Sequence, residues 1–309
     1  MPPKPALMTP LAWILLGGLA LLWGTSFLSN RLALQGMGPM TVVAIRTGGA
    51  AVLLWIAVLV QRSPLPRDPR VIPRFLFIGL LNCALPFGLI VWGQQFIASG
   101  LAGILNASAA LFGVAVAAMV FRDEHLTPRR IAGVTVGFLG VVIAIGPEAL
   151  RGLNLTSAGQ FAIVGASLCY AFGGAYTRVA ARGIAPGVAA AGMLTAAAVW
   201  MIPAMLIFEG APRFDWPLRV DLALLWLVIG CTVAAYLLYF RLLAIAGSGN
   251  TSLVTLLIPP VAITAGTVAF GERLTVSELL GFAVIAAGLC ILNGWPLRMK
   301  PRDVQRRAR

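Results

Sequence analysis

Trp23-Gly-Thr-Ser-Phe-Leu-Ser-Asn-Arg31 and Tyr170-Ala-Phe-Gly-Gly-Ala-Tyr-Thr-Arg178 are two versions of one segment. Each opens on a large aromatic ring and closes on arginine. Arg31, Gly36 and Pro39 map onto Arg178, Gly183 and Pro186 at a constant offset of 147 residues. Further along, Asp123-Glu-His-Leu-Thr127 matches Gly271-Glu-Arg-Leu-Thr275. There Glu124, Leu126, Thr127, Gly133 and Gly140 map onto Glu272, Leu274, Thr275, Gly281 and Gly288 at an offset of 148. The match runs through most of both halves with a one-residue slip, so the chain is built from two copies of one unit.

Long apolar runs surround these segments. Of 309 residues, 60% are hydrophobic and 11% are charged; a soluble domain carries about 25% charged residues. A spanning helix needs roughly 20 apolar residues. Runs of that kind fall at 11–30, 39–60, 75–97, 101–121, 130–146, 158–178, 188–208, 222–243, 251–270 and 277–294. The expected fold is an all-α membrane protein of ten transmembrane helices, five per copy. The units are 1–150 and 151–297, followed by a basic tail at 298–309. An odd number of crossings per copy sends the second copy into the membrane from the opposite side, so the repeats are inverted. Inverted repeats that exchange conformations open a midplane site to one side and then the other, as many secondary transporters do.

The net charge of +13 would suggest nucleic acid in a soluble protein. Here the basic residues sit in short gaps between apolar runs, and no nucleic-acid partner is expected. With both termini cytoplasmic, 17 of the 23 Lys and Arg residues fall on the inside and five on the outside, with Arg46 within a span. Such a bias marks the cytoplasmic face. The expectation is a bacterial inner-membrane protein with both termini inside, its tail against anionic lipid headgroups. The first apolar run reads as a retained helix rather than a signal peptide. Cys83, Cys169, Cys231 and Cys290 lack metal-ligand spacing and each lies in an apolar run. No metal, cofactor or disulfide framework is expected.

Leu22-Trp-Gly-Thr-Ser26, Ala44-Ile-Arg-Thr47, Trp92-Gly-Gln-Gln-Phe-Ile-Ala-Ser-Gly-Leu-Ala-Gly-Ile-Leu-Asn106 and the two Glu-x-Leu-Thr hinges together resemble the drug/metabolite transporter superfamily, specifically its EamA-type members. The resemblance covers nearly the whole chain. It implies a central cavity between the halves and export or exchange of small metabolites. One departure is Ala110, where the first-half pattern usually has proline; the second half carries Pro259-Pro260.

Polar groups in a bilayer are costly unless partnered, so each intramembrane one is a candidate. Trp23, Ser26 and Asn30 stand at i, i+3 and i+7, one helical face. Their repeat counterparts Tyr170, Gly173 and Thr177 keep that spacing. Such faces line a cavity or pack helices together. The third span carries Asn82, Pro86, Trp92, Gln94 and Gln95, and Asn82 and Gln94 lie about 120° apart on an ideal helix. Asn106, Tyr236 and Tyr239 complete the set. The substrate-binding candidates are Trp23, Ser26, Asn30, Asn82, Trp92, Gln95, Asn106, Tyr170, Thr177, Tyr236 and Tyr239. Rings and amides suit an amino-acid-like or small aromatic, amphipathic compound.

Arg46 reads either as a charge clamp or gate, or as a snorkelling side chain bonded to helix-end carbonyls. Its repeat counterpart is Met193. All ten acids, and the single histidine His125, fall in loops or at span ends, which favours facilitated diffusion or exchange over proton coupling. Glu124 and Glu272 are the rim acids that could still couple. No nucleophile–base pair lies at membrane depth, so an enzyme is not expected. A non-transporting scaffold or sensor that binds a small molecule is the alternative. Gly133-Val-Thr-Val-Gly137 has the spacing of a helix-association motif, serving packing within the chain or a homodimer.

Overall fold

The computed structural model describes residues 8–121, 127–146 and 154–293. The expectations for Lys4, Glu124, His125, the 150/151 unit boundary and the 298–309 tail fall outside these residues.

Among the described residues the chain forms ten helices. Eight are long and apolar enough to cross a membrane: α1 (Pro10–Ala33), α2 (Pro39–Val60), α3 (Val71–Gly93), α4 (Ser99–Val120), α5 (Pro128–Ile145), α6 (Leu155–Ala180), α7 (Pro186–Phe208) and α8 (Leu218–Gly247). Two shorter apolar helices follow, α9 (Val254–Phe270) and α10 (Val276–Asn293). The starts are written in the sequence. Pro10, Pro39, Pro128 and Pro186 sit in the first turn, where no backbone donor is needed. Thr9, Thr127 and Asn154 accept from the backbone N–H three residues on.

Large apolar side chains cover the outside: Ile207 is 75% exposed and Val268 82%. A surface of this kind is stable against lipid rather than water. Charged and amide groups inside the spans point inward instead, among them Arg46, Gln94 and Gln160.

The two halves interlock. The first helix of each packs on the other half: α1 lies against α8 and α9, and α6 against α3 and α4. The remaining large contacts pair α2 with α7 and α5 with α10. The α5–α10 seam is made of glycines. A Cβ on Gly133 would stand 2.8 Å from the Gly288 carbonyl oxygen, and one on Gly288 2.7 Å from that of Gly133. The Gly133–Gly137 spacing is therefore used within the chain.

The inversion is visible at the helix ends. Arg31, at the end of α1, reaches Phe270 and Glu272 in the second half. Its counterpart Arg178, at the end of α6, lies over Phe121 at the end of α4, in the first half. Equivalent contacts thus occupy opposite ends of the bundle.

Three helices are interrupted. α3 contains a π-turn at Leu80–Ala84 and α8 one at Ile229–Ala234, at corresponding places in the two repeats. α4 breaks at Ala107–Ser108 although Ala110 replaces the expected proline. Side chains do the proline's work there. Ser108 Oγ donates to the Leu105 carbonyl at 2.6 Å, and Ser167 of α6 lies 3.4 Å from the carbonyls of Leu105 and Asn106. Hydroxyl groups inserted into the ladder are a recognised cause of such breaks.

Candidate functional site

The three interruptions surround a cavity of about 480 Å³ between the halves. The i, i+3, i+7 face of α1 contributes Trp23, Ser26 and Asn30, and the α6 face contributes Tyr170, Gly174 and Thr177. Asn82 comes from the π-turn of α3, and Asn106 from the break in α4. From α8 come Cys231, in its π-turn, with Tyr236, Tyr239 and Phe240 beyond it. Non-helical backbone at membrane depth is tolerated where it lines a cavity, and π-turns recur at functional sites.

The rings form one continuous wall. Trp23 and Tyr239 have centroids 5.7 Å apart, Tyr239 and Phe240 5.4 Å, and Tyr236 and Phe240 6.2 Å. The polar groups are tied across the repeat interface. Asn82 Nδ2 donates to Thr177 Oγ1 at 3.0 Å. Two amide oxygens of this wall, Asn30 Oδ1 and Asn106 Oδ1, have no protein partner among the described residues.

Arg46 is 5% exposed and belongs to this wall. It does not snorkel. Its Nε donates to Thr232 Oγ1 at 2.9 Å, and the guanidinium lies 4.0 Å over the Phe87 ring. Among the described residues no carboxylate is within ion-pair distance of it. Met193, its repeat counterpart, also lines the cavity, so the charge is one-sided.

Two sequence candidates lie elsewhere. Trp92 and Gln95 do not line the central cavity. Trp92 sits edge-on to Phe96, centroids 5.0 Å apart, in the last turn of α3. Gln95 is past the helix end, on a second cavity of about 740 Å³ shared with Arg31, Gln35, Gln94, Phe270 and Glu272. The sequence reading missed Phe27, Phe87, Phe240 and Thr255 as lining residues. For Phe27, which follows Ser26, the signal was there, since the cavity face of α1 is broader than three residues.

The wall between the two cavities contains Gln94. Asn30 Nδ2 donates to Gln94 Oε1 at 2.9 Å, and Gln94 Nε2 donates to the Phe27 carbonyl at 2.8 Å. Beyond it Arg31 pairs with Glu272. The Glu272 carboxylate also accepts from Ser99 N at 3.1 Å and Gly100 N at 3.2 Å, at the start of α4. Glu209 performs the same service for α2, accepting from the backbone N–H groups of Met40 and Thr41 at 2.8 Å each. Carboxylates at helix N-termini are favourable placements.

The model of the EamA-like transporter family matches residues 10–146 and again 157–294, once per repeat. An uncharacterized transporter of Bacillus subtilis, YvbV, is 27% identical over 286 residues, covering 91% of this chain and 90% of its own. A probable amino-acid metabolite efflux pump of Escherichia coli K12 is 26% identical over 301 residues, covering 92% and 96%. One solved structure, titled only "Crystal structure of protein", superposes with a TM-score of 0.67 at 20% identity, covering 94% of this chain and 99% of its own. That likeness establishes the fold. A double family match across nearly all of a ten-helix integral membrane protein excludes an enzyme reading, and the chain belongs to the EamA-like transporter family.

Proposed function

We propose that this transporter is a secondary carrier of a small amino-acid-like or aromatic, amphipathic metabolite, working by alternating access, with the cargo bound in the central cavity. The observation that carries the reading is the cavity itself. It lies between the repeats, is lined by matching faces of α1 and α6, and is walled off at one end by the Asn30–Gln94 bond. Two inverted halves around one such site can trade conformations, which is the geometry alternating access needs. A volume of about 480 Å³ lies within the usual range of small-molecule sites.

The direction is export or exchange, across the bacterial inner membrane. The names of two relatives, probable amino-acid metabolite efflux pumps of Salmonella typhimurium and Escherichia coli, support both the cargo class and the direction. The charge bias supports cytoplasmic termini, which makes the Arg31–Glu272 end of the bundle the periplasmic one. Among the described residues no carboxylate lines the central cavity, and this supports facilitated exchange. Counterflow of labelled amino acids into proteoliposomes tests the reading. Saturable flux that survives collapse of the pH gradient is the expected result. Flux that stops with the gradient contradicts the facilitated mechanism, and no flux of any small metabolite contradicts carriage.

A further inference from the structure

We infer that the cargo carries an organic anion, a carboxylate, and that the free edge of the Arg46 guanidinium holds it. The inference rests on the cavity being the substrate site.

The argument starts from what fixes Arg46. The π-turn at Ile229–Ala234 lets Thr232 Oγ donate its single proton to the carbonyl of Leu227, five residues back, at 2.7 Å. The hydroxyl is then left as an acceptor, and it accepts from Arg46 Nε at 2.9 Å. Phe87, just beyond the matching π-turn in α3, covers the guanidinium face, with its centroid 4.0 Å away. One edge and one face are thus taken. The two terminal nitrogens have no protein acceptor among the described residues, and Arg46 lines the cavity.

A guanidinium held in this way is a pre-aimed fork. Its two terminal nitrogens match the two oxygens of a carboxylate, and such bidentate pairs combine strength with a fixed angle. A buried cation with no counter-ion is costly at membrane depth, and an anionic cargo completes it each time it binds. The opposite wall, Met193 in place of a second arginine, favours one carboxylate over a dianion. The Trp23, Tyr239 and Phe240 rings then take the apolar body. Arg46 is the specificity-determining residue, and Thr232 positions it.

The test is a thermal-shift series on the purified full chain with matched probes: phenylalanine, 3-phenylpropionate and phenethylamine, and leucine, 4-methylpentanoate and isoamylamine. A ligand of the folded state raises Tm. The expected result is stabilisation by the carboxylate-bearing members and none by the amines. In Arg46→Gln the acids should bind about 10-fold to 100-fold more weakly, as loss of a charge-assisted bond implies. Should that variant not fold, Arg46→Lys should keep the preference for acids at reduced affinity, and Thr232→Val should weaken it without reversing it. Amines that stabilise as well as acids, with binding lost in the cavity-filling Ala109→Phe, overturn the anion inference and leave the cavity reading standing. Acids that bind Arg46→Gln unchanged overturn it too. Acid binding that persists in Ala109→Phe overturns the cavity reading and this inference with it.

Discussion

Asn30 and Gln94 join α1 to the end of α3 through a 2.9 Å hydrogen bond that stands between two cavities. Both residues are almost fully buried, at 1% and 3% exposed. A carrier closed at one face needs a contact of this sort: short, polar, and replaceable by water when the helices part. Gln94→Leu should therefore cost about 1–3 kcal/mol of stability, because Asn30 and the Phe27 carbonyl lose their partner. It should also favour states open at that end. Ser26→Cys, introduced as a reporter in a cysteine-free background, should react faster with an impermeant maleimide applied from the Arg31–Glu272 side. An unchanged rate would mean that the bond is not a barrier.

Glu272 holds both a cation and a helix start, whereas Arg31 holds Glu272 and lies over the Phe270 ring. The carboxylate, 6% exposed, pairs with Arg31 and also caps the start of α4. Arg31, at 36% exposed, has water available when the pair is broken. Glu272→Ala should lower stability by about 1–3 kcal/mol and Arg31→Ala by less, since only the first strands buried backbone donors. Melting of the two variants in detergent checks the order, and equal losses would contradict it.

Gly288 lets α5 and α10 touch backbone to backbone. Gly288→Leu should destabilise by several kcal/mol, about 3 or more, because neither helix can yield without reopening the seam. The seam lies away from the cavity, so any folded Gly288→Ala protein should bind cargo with unchanged affinity. Its oligomeric state by multi-angle light scattering should also equal that of the wild type. A change in mass would show that the glycines serve contacts between chains.

The proposed orientation rests on the charge bias. A C-terminal fusion should be active with a cytoplasmic reporter and silent with alkaline phosphatase. Phosphatase activity at that end would reverse the assignment of faces.

Much of this is legible in the sequence. Apolar length alone produces ten helices, since lipid leaves the backbone no other choice. The offset of Arg31 and Arg178 already implies that their contacts occupy opposite ends. Ten of the twelve candidate residues line one cavity, because polar spacing on α1 and α6 survives folding as a face. Other features are set by contacts that the local sequence does not carry. Trp92 and Gln95 stand at and beyond the end of α3, which contains a π-turn and ends at Gly93, past the depth of the central cavity. Phe87 and Thr232 acquire meaning only through Arg46, a contact between helices far apart in sequence. The break in α4 depends on Ser167 of the other repeat and carries no proline to announce it.

The proposed route for the cargo is the cavity between the repeats. Counterflow in proteoliposomes, comparing wild type with Ala109→Phe at matched thermal stability and reconstitution, tests it most directly. Ala109 lines the cavity at the break in α4, so the added ring should occupy the cargo's space. The prediction is saturable exchange in the wild type and at least about a tenfold loss in the variant, with binding lost in parallel. Exchange at the wild-type rate through a filled cavity would contradict the account.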